Sequence, residues 1–374
     1  MLRTQRCNAH SGNEVLKILF LTKYPKQGAS SRYRVYQYLD RYSELGTDVA
    51  VQSFMDESLY QLSMSRGSQV GKIWMTAKAI ARRLAFVWRH RDADALYLQR
   101  ELLPFGPPMI ERLMKRRGMR LIFDYDDALF IKKASRYNRI ASFFRSPQKI
   151  ADIIRMADLT IAGNDWLRDQ AISLGGQAIT VEVAEDTNRY LPKTYGDEQV
   201  TIGWLGSPST SKYLHLISDQ LREVAKANPL VKWVMVGGGD FKMEGVPWET
   251  RDWSFETEKK SLHEFDIGLM PLPDEKWSLG KSGGKARTYM AASVVPVVSA
   301  MGYNLQLVDH GRTGLLIDKQ HAWADGLTNL IQSPDKRQCM AEAALQDVIN
   351  RFSIDGQAAK IHDAVTALVN NDCS

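Results

Sequence analysis

Short apolar runs alternate with stretches of helical periodicity along the whole chain. Lys17–Thr22 (KILFLT), Asp48–Gln52 (DVAVQ), Ala95–Leu98 (ALYL), Leu121–Asp124 (LIFD), Leu159–Ala162 (LTIA) and Ala178–Val183 (AITVEV) all have strand length and strand composition. A helical pattern separates the first two, running from Arg32 to near Leu45. A second series starts at Val200–Leu205 (VTIGWL) and continues through Lys232–Val236 (KWVMV), Asp266–Met270 (DIGLM) and Val295–Ser299 (VPVVS). β-rich runs spaced by helices predict an α/β fold, with parallel sheets covered by helices on both faces. The polar stretch 185–199, which holds Pro192 and Gly196, divides the two series and predicts a linker. The chain therefore reads as two doubly wound, Rossmann-like halves, each expected to bind ligands beyond the carboxyl ends of its strands.

Several loops at those predicted edges carry candidate chemistry. Gly206-Ser207-Pro208-Ser209-Thr210-Ser211-Lys212 lies between a strand and a helix. Its hydroxyls suit a helix cap, and a helix start also favours phosphate, so the loop is either a cap alone or a phosphate site. Trp277–Lys285 (WSLGKSGGK) runs from the strand at 266–270 into a helix. Its glycines let backbone approach a ligand closely, and Lys281 and Lys285 supply positive charge. Ala286 follows Lys285, so G-x-x-x-x-G-K-[ST] is not met and a P-loop nucleotide hydrolase is disfavoured. Gly237-Gly238-Gly239-Asp240 is a weaker signal, a turn with or without a ligand beside it. In the first half, Asp124-Tyr125-Asp126-Asp127 crowds three carboxylates at the end of a strand. Such repulsion is accepted for metal binding, proton transfer or hydroxyl recognition, or is offset by arginines such as Arg32 and Arg34.

Composition narrows the class. A chain of 374 residues suits two domains at roughly 100–200 residues each. Cys7, Cys339 and Cys373 form no C-x-x-C, and no histidine pairs with a cysteine, so neither a disulfide framework nor a zinc site is expected. The apolar run from Val15 to Leu21 is short and contains Lys17, and no stretch approaches the roughly 20 apolar residues of a membrane span. A cytoplasmic location is expected. The net charge of +6 and pI near 9.0 point to anionic partners or simply to solubility. One basic segment, 66–91, mixes Lys72, Lys78, Arg82, Arg83, Arg89 and Arg91 with Trp74, Phe86 and Trp88, and Arg112, Lys115, Arg116 and Arg117 form a second cluster. A helix of this kind either lies on an anionic membrane or packs an apolar face on the core. The aromatics are read as core-facing, which argues against a stacking platform for nucleic acid.

These residues resemble bacterial glycosyltransferases of family 4, in the GT-B superfamily. The resemblance rests on Ser31-Arg32-Tyr33-Arg34, Phe123–Phe130 (FDYDDALF), Val183–Pro192 (VAEDTNRYLP), Ile202–Leu214 (IGWLGSPSTSKYL) and, most specifically, Phe265–Asn304. It implies two Rossmann-like domains facing a central cleft: an acceptor-binding domain over 1–192, a nucleotide-sugar-binding domain over 200–352, and a last segment, 353–374, whose helix at Gly356–Val369 crosses back to the first. It implies a retaining hexosyl transfer from a nucleoside-diphosphate sugar to a glycan or lipid-linked acceptor, in cell-envelope or exported-polysaccharide synthesis, on the inner face of the membrane. No cofactor and no metal is called for, and no nucleic acid partner. The donor would be held by Gly206, Ser207, Ser209, Thr210, Lys281, Ser282, Gly283, Gly284, Lys285 and Thr288. The acceptor would lie near Gly28, Arg32 and Asp124. Asp126, Asp127 and Lys285 would carry the chemistry. The chain departs from the family at one point: Gly280 and Thr288 stand where most members have a pair of glutamates, the second of which binds the donor's ribose. That departure motivates an alternative, a non-catalytic nucleotide-sugar or glycan-binding protein of the same fold. An epimerase acting on the sugar nucleotide without an acceptor is a third reading.

Overall fold

The computed structural model describes residues 15–64, 69–131, 147–191, 193, 199–319 and 322–370. Cys7, Cys373, Arg66, Pro192 and Gly196 lie outside the described residues. The chain divides into two compact units, Met1–Val183 with Ile354–Ser374, and Ala184–Ser353.

Unit 1 holds six strands, β1 (Lys17–Thr22), β2 (Asp48–Ser53), β3 (Ala95–Gln99), β4 (Arg120–Tyr125), β5 (Leu159–Ala162) and β6 (Ala178–Thr180). They form one parallel sheet in the order β2-β1-β3-β4-β5-β6. Unit 2 holds β7 (Thr201–Leu205), β8 (Lys232–Val236), β9 (Trp248–Arg251), β10 (Ile267–Met270), β11 (Val295–Ser299) and β12 (Leu315–Ile317). Its parallel order is β12-β11-β10-β7-β8-β9. Both units are α/β, each built on one parallel six-stranded sheet. Each order reverses once, between β1 and β3 in unit 1 and between β7 and β10 in unit 2. Diverging connections at such a point leave open space beyond the carboxyl ends of the two strands.

Every residue of β3 and of β7 is buried, as parallel strands covered on both faces require. In unit 2 the core joins Ile202, Trp204, Trp233, Met235, Ile267 and Val297 to Leu221, Leu327 and Met340 on the helices. The stretch 185–191, expected to lie in a linker, belongs to unit 2: Glu185 is buried, as is Ala184 before it, and the Glu185 amide donates to the Phe352 carbonyl at 2.9 Å. The chain passes between units at Val183/Ala184 and again at Ser353/Ile354. The helix Ile354–Asn370 packs within unit 1, where Arg41 Nε lies 2.6 Å from Asp355 Oδ1.

The pattern from Arg32 to Leu45 is not one helix. It breaks into a helix at Ala29–Arg34, a 3-10 turn at Tyr36–Tyr38 and a helix at Leu39–Glu44. This arrangement aims Arg34 inward. Arg34 Nε donates to Asp124 Oδ1 at 2.9 Å, Nη2 donates to Oδ2 at 2.5 Å, and Nη1 donates to the Val181 carbonyl at 2.7 Å. The Tyr97 hydroxyl donates to the same Oδ2 at 2.5 Å. Arg34, Tyr97 and Asp124 are all fully buried. Asp124, expected on the acceptor side, is thus enclosed by fold contacts, and no surface of it is left to touch an acceptor.

A buried ion pair that loses one partner leaves the other charge uncompensated. Asp124→Ala should lower the unfolding free energy by about 3–5 kcal/mol, measured by urea denaturation. A loss under ~1 kcal/mol, the size of an exposed pair, would contradict this burial.

Candidate active site

In unit 2 the reversal point is flanked by the loop after β7 and the loop after β10. The first turns at Gly206 and enters the short helix Pro208–Ser211, with Pro208 at its first position. The Thr210 hydroxyl donates to the Ser207 carbonyl at 3.1 Å, and Ser207 Oγ lies 2.9 Å from Ser209 Oγ. The second loop passes through Lys276–Leu279 and ends at Gly283, the N-cap of the helix Gly284–Ala291. Gly283 has φ +66, a left-handed conformation that favours glycine, and a Cβ there would lie 2.5 Å from Leu307. No side chain caps this helix start, so its amide groups face the loop region undistracted by a local carboxylate or hydroxyl.

Lys285 connects the two loops. Its Nζ donates to Thr210 Oγ1 at 3.3 Å, and it lies 5.2 Å from the centre of the Trp204 ring. The aliphatic part packs over Gly206, where an added Cβ would meet Lys285 Cε at 2.7 Å. Burial, assisted by the nearby Lys281 charge, pushes the Lys285 pKa down to about 7. Lys281 Nζ sits 3.9 Å from the Trp277 ring centre. Serine, threonine, glycine and lysine from two loops therefore surround one helix start, with an ammonium drawn toward neutrality by its surroundings. An anion beside it would restore the charge.

The remaining predicted donor residues take structural positions around this centre. The Ser282 carbonyl accepts from Arg287 Nη1 at 3.0 Å, and Gly284 is exposed with open space about its Cα. Thr288 is buried on the next turn and donates to Glu185 Oε2 at 3.2 Å, while the Tyr190 hydroxyl donates to Oε1 at 2.8 Å. Burial raises the Glu185 pKa, and Arg287 opposes that rise. The triple-glycine turn supports the first loop, because a Cβ on Gly237 would sit 2.3 Å from the Gly206 carbonyl oxygen.

In unit 1 the reversal point lies between β1 and β3. Ser30 Oγ donates to Asp126, with 2.9 and 3.0 Å to the two oxygens, and accepts from Gln99 Nε2 at 3.0 Å. Arg100 Nη2 is 3.0 Å from Asp127 Oδ2 and 3.9 Å from Asp126 Oδ1. Arg100 is buried with φ +72, a strained conformation outside glycine. Gly28 precedes the Ala29–Arg34 helix, and Arg32 Nη1 donates to the Gln27 carbonyl at 3.3 Å. Asp126 and Asp127 thus belong to unit 1 and Lys285 to unit 2. Among the described residues no group of three or more His, Cys, Asp or Glu converges as a metal site would.

Residues 199–333 match the glycosyl transferases group 1 family. The match lies entirely within unit 2. No curated protein sequence matches the chain. Among solved structures, HepE from Anabaena in complex with UDP and glucose aligns at TM-score 0.67 and 15% identity, covering 94% of this chain and 100% of that one. A glycosyltransferase from Rickettsia africae aligns at 0.66 and 12%, covering 96% and 100%. Sucrose-phosphate synthase from Thermosynechococcus elongatus aligns at 0.66 and 13%, covering 94% and 99%. These likenesses are of fold.

The family match contains both loops that Lys285 connects. Residue patterns point to Lys285, Thr210 and Gly283 but not to Trp204, whose ring lies beneath the lysine from within a strand. Ser30, Gln99 and Arg100 are also missed. Serine and glutamine carry no motif, and the positive φ of Arg100 leaves no trace in its residue type.

The shifted lysine makes a prediction independent of ligand. Between pH 7 and pH 10.5 the unfolded chain keeps a proton that folded Lys285 has lost. Stability from this group is lowest below pH 7 and rises with pH through that window. Urea titrations at pH 6.5 and pH 9.5 should show a smaller pH difference for Lys285→Met than for the unaltered protein. Equal differences would mean that the lysine titrates near its ordinary value.

Proposed function

We propose that the protein is a retaining glycosyltransferase that moves a sugar from a nucleoside-diphosphate sugar to a glycan or lipid-linked acceptor, in the synthesis of cell-envelope or exported polysaccharide. The observation that carries the reading is the match of residues 199–333 to glycosyl transferases group 1, with Lys285 and Thr210 meeting at the reversal point inside that span. HepE, of the same fold, binds UDP and glucose, which supports a uridine-diphosphate sugar as the first donor to try.

The proposed chemistry follows the charge. The bond between the anomeric carbon and the diphosphate oxygen breaks, and its electron pair stays on the diphosphate. The acceptor hydroxyl oxygen bonds to the anomeric carbon, and its proton leaves to the departing diphosphate. Negative charge grows on the leaving group, so donors fixed in advance toward it lower the barrier. Lys285, Lys281 and the amides at the start of Gly284–Ala291 are the groups proposed for that role, with Ser207, Ser209, Thr210 and Ser282 holding the phosphates. In unit 1, Asp126 and Asp127 are proposed to orient the acceptor hydroxyl, with Gly28 and Arg32 nearby.

A second reading keeps the fold and loses the reaction. It is favoured by Thr288, whose hydroxyl is already bonded to Glu185 and which offers no carboxylate to a ribose. A donor panel separates the two. Purified protein is incubated with UDP-, GDP-, ADP- and dTDP-sugars, with and without membrane extract, and free nucleoside diphosphate is measured. Release from one donor, stimulated by extract, is expected. Lys285→Ala should lower that turnover by about 10²–10³-fold, the usual loss of one donor to a developing anion. Full activity in Lys285→Ala would overturn the phosphate assignment. Tight donor binding with no release under any condition would establish the second reading.

A further inference from the structure

Gln99, the last residue of β3, and Arg100, the next, each hold one of the two carboxylates that follow β4. Gln99 is fully buried, and its side chain is fixed at both ends. Its Oε1 accepts from the Ser31 hydroxyl at 2.8 Å and from the Lys23 amide at 3.3 Å. A backbone N–H only donates, so the Gln99 atom facing it is the oxygen. Nε2 therefore donates to Ser30 Oγ, at 3.0 Å. Ser30 has a single hydroxyl proton, which then goes to Asp126, at 2.9 and 3.0 Å from its two oxygens. The direction of each bond in this chain is set from the Lys23 backbone outward, and the chain ends on Asp126 as an accepting carboxylate.

Arg100 holds the other carboxylate. Its backbone amide donates to the Asp124 carbonyl at 3.0 Å, which ties the strained residue to β4. Its Nη2 lies 3.0 Å from Asp127 Oδ2 and 3.9 Å from Asp126 Oδ1. Nε shares that edge of the guanidinium, is buried, and has no hydrogen-bond partner among the described residues. Buried donors are nearly always satisfied. An orphan beside two carboxylates, at a sheet end, points to a ligand atom that accepts there. The neighbouring cation is already engaged, since Lys23 Nζ lies 3.4 Å from Glu101 Oε1.

We propose that Gln99, acting through Ser30, and Arg100 are positioning residues, and that the site they build takes an uncharged sugar hydroxyl and rejects a carboxylate or ionised phosphate. The proposal rests on the reading of unit 1 as the acceptor side. A hydroxyl oxygen can accept from Arg100 Nε and donate its proton to Asp126. A carboxylate or ionised phosphate could accept from Arg100 but has no proton for Asp126. It would also meet the like charges of Asp126 and Asp127, with Lys23 already paired to Glu101. An ammonium could donate to Asp126 but would leave Nε unsatisfied. Only a group that both donates and accepts matches the pair.

The test is saturation-transfer NMR on the full chain. Methyl glycosides of glucose, galactose and mannose are compared with glucuronate and glucose 6-phosphate. Binding of at least one neutral glycoside is expected, and neither anion should displace it. Ser30→Ala should weaken that binding about 10-fold, the size of one lost hydrogen bond to a charged group. Ser30→Thr keeps the hydroxyl and should bind as the unaltered protein does. Gln99→Leu should match Ser30→Ala. If the buried substitution fails to fold, the two serine variants carry the test, because Ser30 is partly exposed. Asp126→Asn removes one like charge and should let glucuronate compete, a change of selectivity that a purely structural role would not produce. Absence of binding by every neutral glycoside would overturn the proposal. So would equal binding of the anions to the unaltered protein, or normal binding by Ser30→Ala. If no donor releases its nucleoside diphosphate under any condition, the transferase reading fails while these binding results still decide the proposal.

Discussion

In both units the central parallel strands are covered on both faces, and this confines polar chemistry to their ends. A residue inside β3 or β7 has no solvent-facing side on which to place a charge. The carboxyl ends carry the loops that must reverse direction, and the strand order opens space at one point of each sheet. The Ser207–Ser211 loop, the 277–285 loop, Ser30 and the Asp126–Asp127 pair all stand at such ends. Within each unit this clustering follows from the topology and needs no long-range design beyond it.

The same confinement accounts for how Lys285 is tuned. The lysine starts from a glycine-capped helix and reaches across the Trp204 ring to Thr210. Gly206 leaves room for its methylenes, and Gly237 in turn must lack a side chain to pack on Gly206. Burial of the ammonium, with Lys281 near, lowers its proton affinity. A cation held at this cost to the free protein is relieved when an anion arrives. Part of the proposed interaction with a diphosphate would thus be prepared by the fold before binding, as an electrostatic site requires.

Much of this was legible in the chain. The central strands were visible because full burial makes them nearly continuous apolar runs, and the loops at their ends because glycine, serine and lysine cluster there. β9 was missed because Trp248–Arg251 lies at a sheet edge with two exposed acid or hydroxyl side chains, and β12 because it is only Leu315–Ile317. The burial of Asp124 was hidden for a different reason. Three carboxylates within four residues look alike in sequence, yet strand alternation and Arg34 turn one inward while Ser30 and Arg100 take the other two. A motif shows which residue types are close along the chain, while the backbone decides which of them share a surface.

The helix Gln69–Arg89 shows the limit of pattern reasoning most directly. An amphipathic period specifies two faces but not which one turns inward, and the ordinary assumption buries the apolar face. Here both faces carry apolar side chains, Met75, Ala79, Ile80 and Val87 turn inward, and among them sits Arg83. Its Nη2 donates to the Thr22 carbonyl at 2.6 Å, at the end of β1, and its guanidinium lies over the Phe54 ring at 5.8 Å. Burial pushes its pKa down to about 9, so the contact costs desolvation. Rotating the helix to bury Trp74 and Trp88 would carry Arg83 out toward solvent and away from the Thr22 carbonyl it caps. Ala79 and Val87 are buried beside it on the same face of the helix. The outward position of Trp74 and Trp88 thus follows from what the inward face must hold, a buried arginine capping the end of β1 and set among Met75, Ala79 and Ile80.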